Sequence, residues 1–337
     1  MERPSWLLIL RLLYGIALFP HCGGLVVTDF QIQGQIARLY EPADVDGKNH
    51  RDDDNPRRPL IVLPGMAQTI TTWDSCATML AKNRRVLVCE VRGIGLHPCD
   101  GNGTGDSSNN NKNVTLPFQA ESLHTTLHEI FTDDSDHDSS QSFDFAGFSL
   151  GGRVAMAYAC LYPEKVNSLH LTGVAWQRSI HGQNVLLAWE NCLAHDNLHG
   201  FAWLAILHTY SPRFVHAQKD RVALWVDALS QCHTSEGLLE LMRQTHHDID
   251  IDNEEENNNM WTVPGMAEML MEHEDAPCKG HICIGQEDEM APIDEAKHLA
   301  KRFNWEITVI SDVGHAVPFE SPRLWRESVL HQLERVV

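Results

Sequence analysis

The sequence has no basic stripe, no paired cysteine spacing, no internal repeat and no apolar run long enough to cross a bilayer comfortably. Across 337 residues the formal net charge is -20. Nucleic acid is excluded as a partner, because binding phosphate takes clustered Lys and Arg. The nine cysteines, Cys22, Cys76, Cys89, Cys99, Cys160, Cys192, Cys232, Cys278 and Cys283, never fall into a CxxC pair, so no zinc site is expected and most read as core thiols. The run Asp133 to Asp138 lacks the glycine turn and closing glutamate of a calcium loop. Together with Asp52 to Asp54 and Asp248 to Glu256 it reads as solvated loop. No metal and no cofactor is expected.

Two features bear on the compartment and point in opposite directions. An odd cysteine count cannot pair completely within one chain, which favours a reducing environment. Yet Trp6 to Phe19 is nearly all apolar, with Arg3 ahead of it and only Arg11 inside. That stretch falls short of the roughly 20 residues a bilayer span takes, but it resembles a signal-peptide core or short anchor. Residues 1–24 are therefore read as a signal, targeting or anchor segment, which permits secretory or organelle targeting and is the single expected route to membrane association. Sequons at Asn102 and Asn113 lie in a polar insertion.

What is present is a chain with 43% hydrophobic residues, enough for a sizeable core. Short apolar runs alternate with helix-like stretches, the pattern of a mostly parallel sheet flanked by helices. Pro59 to Leu63, Arg85 to Val91, Phe143 to Phe148, Val166 to Thr172, His281 to Gly285 and Trp305 to Ser311 read as buried strands. Polar blocks at Asp44 to Arg58, Leu96 to Lys112 and Asp248 to Asn259 read as surface insertions. From Trp176 to Pro277 the alternation gives way to helical spacing, with Val185, Leu186, Trp189, Cys192 and Leu193 on one face. This divides the chain into a first core part at 25–175, a helical cap at 176–277 and a second core part at 278–337. Trp176, Trp189, Trp203, Trp225 and Trp261 read mainly as cap core, with at least one placed to line a pocket.

The segment Phe143-Asp-Phe-Ala-Gly-Phe-Ser-Leu-Gly-Gly-Arg carries the chemistry. An apolar strand runs into Gly147-Phe-Ser149-Leu-Gly151 and then into an Ala-rich helix, the pattern of a nucleophile elbow. Glycines flank the serine because strand and helix approach too closely there for β-carbons. The elbow sets the Ser149 hydroxyl at a helix N-terminus, where unpaired N–H groups favour developing negative charge. A serine is a weak nucleophile and needs a base, and the base needs a group to orient it. Downstream stand Gly285-Gln-Glu-Asp288-Glu-Met-Ala-Pro292 and Asp312-Val-Gly314-His315. Glu287, Glu289 and Asp312 rival Asp288, with Asp312 the fallback.

These three motifs, in the order Ser, Asp, His, resemble the α/β-hydrolase superfamily. Its acid follows a strand in a Gly-x-x-Asp-x-x-x-Pro setting, and its base sits in a Gly-His turn before the last helix. The resemblance implies Ser149, Asp288 and His315 as catalytic residues, and an oxyanion hole from the N–H groups of Leu150 and Met66. The loop Leu63-Pro64-Gly65-Met66 departs from the family's common His-Gly at Pro64-Gly65. Glu90-Val-Arg92-Gly93-Ile-Gly95 departs from Asp-x-Arg-Gly-x-Gly, with Arg92 read as structural rather than as a substrate contact.

The expected activity is hydrolysis of an ester or related acyl compound, with an apolar small molecule as substrate. Two other readings stay open. Ser149-Leu-Gly-Gly-Arg153 is similar to the elbow of 2-succinyl-6-hydroxy-2,4-cyclohexadiene-1-carboxylate synthases, lyases in which the arginine binds carboxylate. A binding protein without turnover on the same fold is the other.

Overall fold

The computed structural model describes residues 25–43, 57–95, 113–132, 141–246, 259–272 and 279–334. The three acidic blocks, the Leu96 to Lys112 insertion with Asn102, and Cys22, Cys99 and Cys278 lie outside the described residues, as do residues 1–24. The expectation of secretory or organelle targeting and of a membrane anchor is corrected accordingly: its only carrier is undescribed, and among the described residues no helix is long and apolar enough to cross a membrane. The six described cysteines are free thiols, four of them buried.

Among the described residues, eight strands form one sheet in the order β1-β2-β4-β3-β5-β6-β7-β8. The strands are β1 (Leu25–Ile32), β2 (Gln35–Pro42), β3 (Leu60–Leu63), β4 (Val86–Cys89), β5 (Phe143–Phe148), β6 (Val166–Thr172), β7 (Lys279–Gly285) and β8 (Glu306–Ile310). From β4 to β8 every pairing is parallel, so these strands end at one shared edge. β3, β4 and β5 are buried along their whole length, as continuous apolar runs of a sheet covered on both faces must be. The one carboxylate inside them, Asp144, is compensated: Asn167 and Ser168 donate to Oδ1 at 2.6 Å each, and Arg84 lies 3.4 Å from Oδ2.

The first two strands do not follow from the apolar-run pattern and are an antiparallel hairpin. Gln33 and Gly34 both take positive φ, 47° and 84°, the turn type whose twist matches paired strands. β1 is largely exposed at the sheet edge, which is why its sequence shows no buried run.

Helices cover both faces. One apolar layer joins α1 (Ile70–Leu80) to the last helix, Pro322–Glu334, around Trp73 and Trp325, whose ring centroids are 5.5 Å apart. The other gathers α2 (Leu116–Phe131), α3 (Leu150–Leu161) and, further along the chain, the helix Ile293–Phe303. Every residue of α3 from Leu150 to Cys160 is buried, since its Ala- and Gly-rich surface lets it sit between the sheet and later helices.

Between β6 and β7 stand α4 (Ile180–Ala194), α5 (Leu198–Thr209), α6 (Pro212–Ala217), α7 (Lys219–Cys232), α8 (Ser235–Thr245) and α9 (Val263–Glu272). Side chains of serine, asparagine or threonine cap four of these starts: Ser179, Asn197, Ser211 and Thr234 each accept a backbone N–H three residues on. Trp225 stacks with Tyr210 and Phe214 in a separate small core, and Trp189 meets the edge of Phe201. Trp176 instead lies on the outer helix Ile293–Phe303, beside His298 and Arg302.

Candidate active site

Three strand ends and two loops converge on the carboxyl edge of the sheet. β5 turns into α3 at Ser149, which takes φ 51° and ψ −115°, a conformation that strains any residue with a β-carbon. What makes the turn feasible is the lack of side chains around it. A β-carbon on Gly147 would lie 2.5 Å from the Gly152 Cα, and one on Gly151 would lie 2.1 Å from the Leu63 carbonyl oxygen. Ser149 is half-buried, while Leu150 behind it is buried. As the first residue of α3, Leu150 has no carbonyl one turn earlier to receive its N–H.

β7 ends at Gly285 and β8 leads into the turn that carries His315. A β-carbon on Gly285 would meet the Gly314 carbonyl oxygen at 2.0 Å, so the two turns lie back to back. Gln286 N–H donates to Ile310 O and Glu287 N–H to Val313 O, each at 2.8 Å. Asp288 and His315 thereby meet: His315 Nδ1 lies 2.8 Å from Asp288 Oδ2, and both residues are buried. The other carboxylate oxygen, Oδ1, accepts from the N–H groups of Met290 at 2.9 Å and Ala291 at 2.8 Å. With Asp288 an acceptor only, Nδ1 carries the proton and Nε2 is left as the basic nitrogen. The fallback acid Asp312 is exposed and pairs with Arg213 at 3.0 Å.

The imidazole is held against the serine turn. Its Cε1 lies 2.8 Å from where a β-carbon on Gly173 would stand, directly after Thr172, whose carbonyl accepts the Ser149 N–H at 2.8 Å. Its other neighbour is the ring of Phe148, 5.2 Å away between centroids. Glu320 fixes the turn from below by accepting the Gly314 N–H at 2.9 Å, and it also accepts the Ser211 N–H and hydroxyl at the start of α6. Burial pushes the Glu320 carboxyl above its ordinary range.

The loop after β3 forms the opposite wall. Gly65 lies against the Phe148 ring, and its N–H donates to Gln68 Oε1 at 2.9 Å, an oxygen that also accepts from Trp73 Nε1 at 3.0 Å. Met66 follows, half-buried, and Ala67 takes φ 57°. Below the loop, Glu90 accepts the Ile70 N–H at the start of α1 at 2.7 Å, and burial pushes its carboxyl up to about 7. The Arg92 guanidinium lies 5.0 Å from the Phe118 ring centroid. Among the described residues no group of three or more His, Cys, Asp or Glu is arranged to hold a metal.

A family model described as the alpha/beta hydrolase fold matches residues 58–322, well over half of the chain. The chain belongs to this family. Among solved alpha/beta hydrolases, an enzyme from a Medee basin deep-sea metagenome library superposes with a TM-score of 0.66 at 19% identity, covering 91% of this chain and 97% of its own. A thermophilic esterase from Thermogutta terrifontis gives 0.60 at 18% identity, covering 92% and 99%. A meta-cleavage product hydrolase from Pseudomonas fluorescens gives 0.62 at 15%, covering 92% and 98%. At such identities the likeness is one of fold. A Pseudomonas putida protein named as the dihydrolipoyllysine-residue acetyltransferase component of an acetoin cleaving system is 23% identical over 82% of this chain. The match spans 64% of that protein's length.

The sequence motifs led to Ser149, Asp288, His315, Met66 and Leu150, which all lie along this edge. They gave no hint of Glu320 or His233, and marked Glu90 only as a departure from the family's Asp-x-Arg-Gly motif. His233 is one of 20 histidines, and what it bonds to are backbone groups remote in sequence, which no spacing rule reveals.

Proposed function

We propose that the chain is a serine hydrolase acting on an ester or related acyl substrate. The reading is carried by the buried Asp288–His315 hydrogen bond set beside a strained serine at a helix N-terminus. In this reading Ser149 Oγ attacks the carbonyl carbon while His315 Nε2 takes its proton, and Asp288 holds the resulting imidazolium. The Met66 and Leu150 N–H groups receive the oxyanion. The alcohol leaves with the proton from His315, and water, deprotonated by the same nitrogen, then attacks the acyl-serine to free the acid. The helices between β6 and β7 act as the cap, and their apolar composition favours an apolar small-molecule substrate.

Hydrolysis of a series of p-nitrophenyl esters by wild type and by Ser149→Ala tests this. Turnover is expected from wild type alone, together with fluorophosphonate labelling that Ser149→Ala abolishes. Equal turnover in the two proteins removes Ser149 from its role, and no turnover in either favours a binding protein. The lyase reading has less behind it, since it rests on the Gly-Gly-Arg153 string alone.

A further inference from the structure

His233 occupies the two-residue turn between α7 and α8 and is buried at the boundary between these helices and the sheet edge. Its Nδ1 lies 3.0 Å from the Gly95 N–H, and its Nε2 lies 3.1 Å from the Ala67 carbonyl oxygen. A backbone N–H only donates and a carbonyl only accepts, so the tautomer is fixed: Nδ1 is the bare nitrogen and Nε2 carries the proton. Burial drives this imidazole down to about 4, which keeps it neutral as the bridge requires. One side chain thus joins the loop after β3 to the loop after β4.

The consequence concerns Met66. Its peptide N–H is bracketed by two anchors, the Gly65 N–H held by Gln68 and the Ala67 carbonyl held by His233. Ala67 is also left-handed at φ 57°, a conformation that an alanine keeps only when its surroundings impose it. On the other side, Leu150 is oriented by the strand-to-helix turn itself and needs no such help.

We infer that His233 is a positioning residue that aims the Met66 N–H at the substrate oxyanion, making the α7–α8 turn part of the catalytic apparatus. The inference rests on the acyl-transfer reading above. The Met66 N–H meets charge only as the oxyanion develops, so loss of the bond that aims it acts on the transition state and on tetrahedral adducts, and much less on substrate binding.

The test compares wild type, His233→Leu and His233→Gln on a p-nitrophenyl ester, and measures the affinity of each for a trifluoromethyl ketone that forms a tetrahedral adduct. Removing an oxyanion donor outright lowers kcat by about 100- to 1,000-fold, so misaiming one in His233→Leu is expected to lower it by about 10- to 100-fold. The ketone affinity falls in parallel, while KM stays within about threefold. Gln presents an oxygen and an N–H with nearly the spacing of the two ring nitrogens, and it restores most of kcat. Should the leucine variant not fold, His233→Ala with added imidazole serves instead: imidazole restores kcat, and 1-methylimidazole, which cannot donate, does not.

Unchanged kcat in His233→Leu overturns the inference, as does a loss that Gln fails to restore, or equal rescue or none from the two imidazoles. Those results leave Ser149-dependent turnover by wild type intact, and with it the hydrolase reading. Absence of such turnover removes that reading and this inference together.

Discussion

At the carboxyl edge of the sheet, backbone meets backbone: the Leu63 carbonyl oxygen lies within 2.1 Å of where a Gly151 β-carbon would stand, and Gly314 lies equally close to Gly285. The helices between β6 and β7 meet instead through large side chains such as Trp189, Phe201 and Trp225, and they leave Leu187, Leu207 and Leu224 exposed. They join the core through an apolar layer that includes Leu186, Leu241 and Met266, and the edge itself through polar bonds, among them Ala316 N–H to Thr209 O at 2.8 Å, Ser211 to Glu320, and His233 to Ala67. One region is held by close backbone contacts that leave no room for a β-carbon at Gly147, Gly151 or Gly285. The other is an adaptable packing of side chains. In the proposed mechanism, reaction chemistry belongs to the first and choice of substrate to the second.

Asp288→Asn probes the rigid region with the largest expected effect. Oδ1 accepts two backbone N–H groups, so the amide oxygen takes that place and the amide NH2 faces His315. It then donates to Nδ1 and moves the ring proton to Nε2, the nitrogen needed as base. A loss in kcat of about 10,000-fold is expected, as for wrong-tautomer variants of such triads. The melting temperature should hardly move, and full activity in this variant would mean that the orienting acid lies elsewhere.

Trp225→Ala probes the adaptable region. It removes the centre of the small core shared with Tyr210 and Phe214, at a cost of about 3–5 kcal/mol. Local opening of α5 to α7 is expected, seen as faster hydrogen exchange there, with KM rising more than kcat falls. Loss of protection throughout the sheet would erase the distinction between the two regions.

The smallest expected effect lies at their boundary. The Glu90 carboxyl titrates at about 7 in the folded chain, against an ordinary 4.5. Between those values the native state holds a proton that the unfolded chain has released, so stability is greatest below about 4.5 and falls as pH rises through about 7. Glu90→Gln should flatten this dependence and raise stability at pH 8 by up to about 3 kcal/mol. Urea midpoints at pH 5 and pH 8 measure it, and parallel curves for the two proteins would refute the assignment.

This contrast also explains what was legible beforehand. β3, β5 and β6 were visible as apolar runs because both of their faces are covered. β4 stops short of the expected Val91, although the Glu90 N–H still donates to the Ile36 carbonyl of β2 at 2.9 Å. The β1–β2 hairpin escaped notice because its outer strand is exposed and its Gln-Gly turn is not among the pairs that announce a hairpin. Ser149, Asp288 and His315 stood out through the small residues that crowded backbone demands around them. The roles of Glu320, Glu90 and His233 did not, because each serves backbone groups brought near only by the finished fold.

Ser149 precedes the helical insertion, and Asp288 and His315 follow it. A growing polypeptide that has reached α9 already contains every segment of the serine turn, yet neither the ring nor the carboxylate that would activate it. Under the proposed mechanism, fragments cut short before Lys279 should therefore be inert, because the last two strands bring in both of the serine's partners.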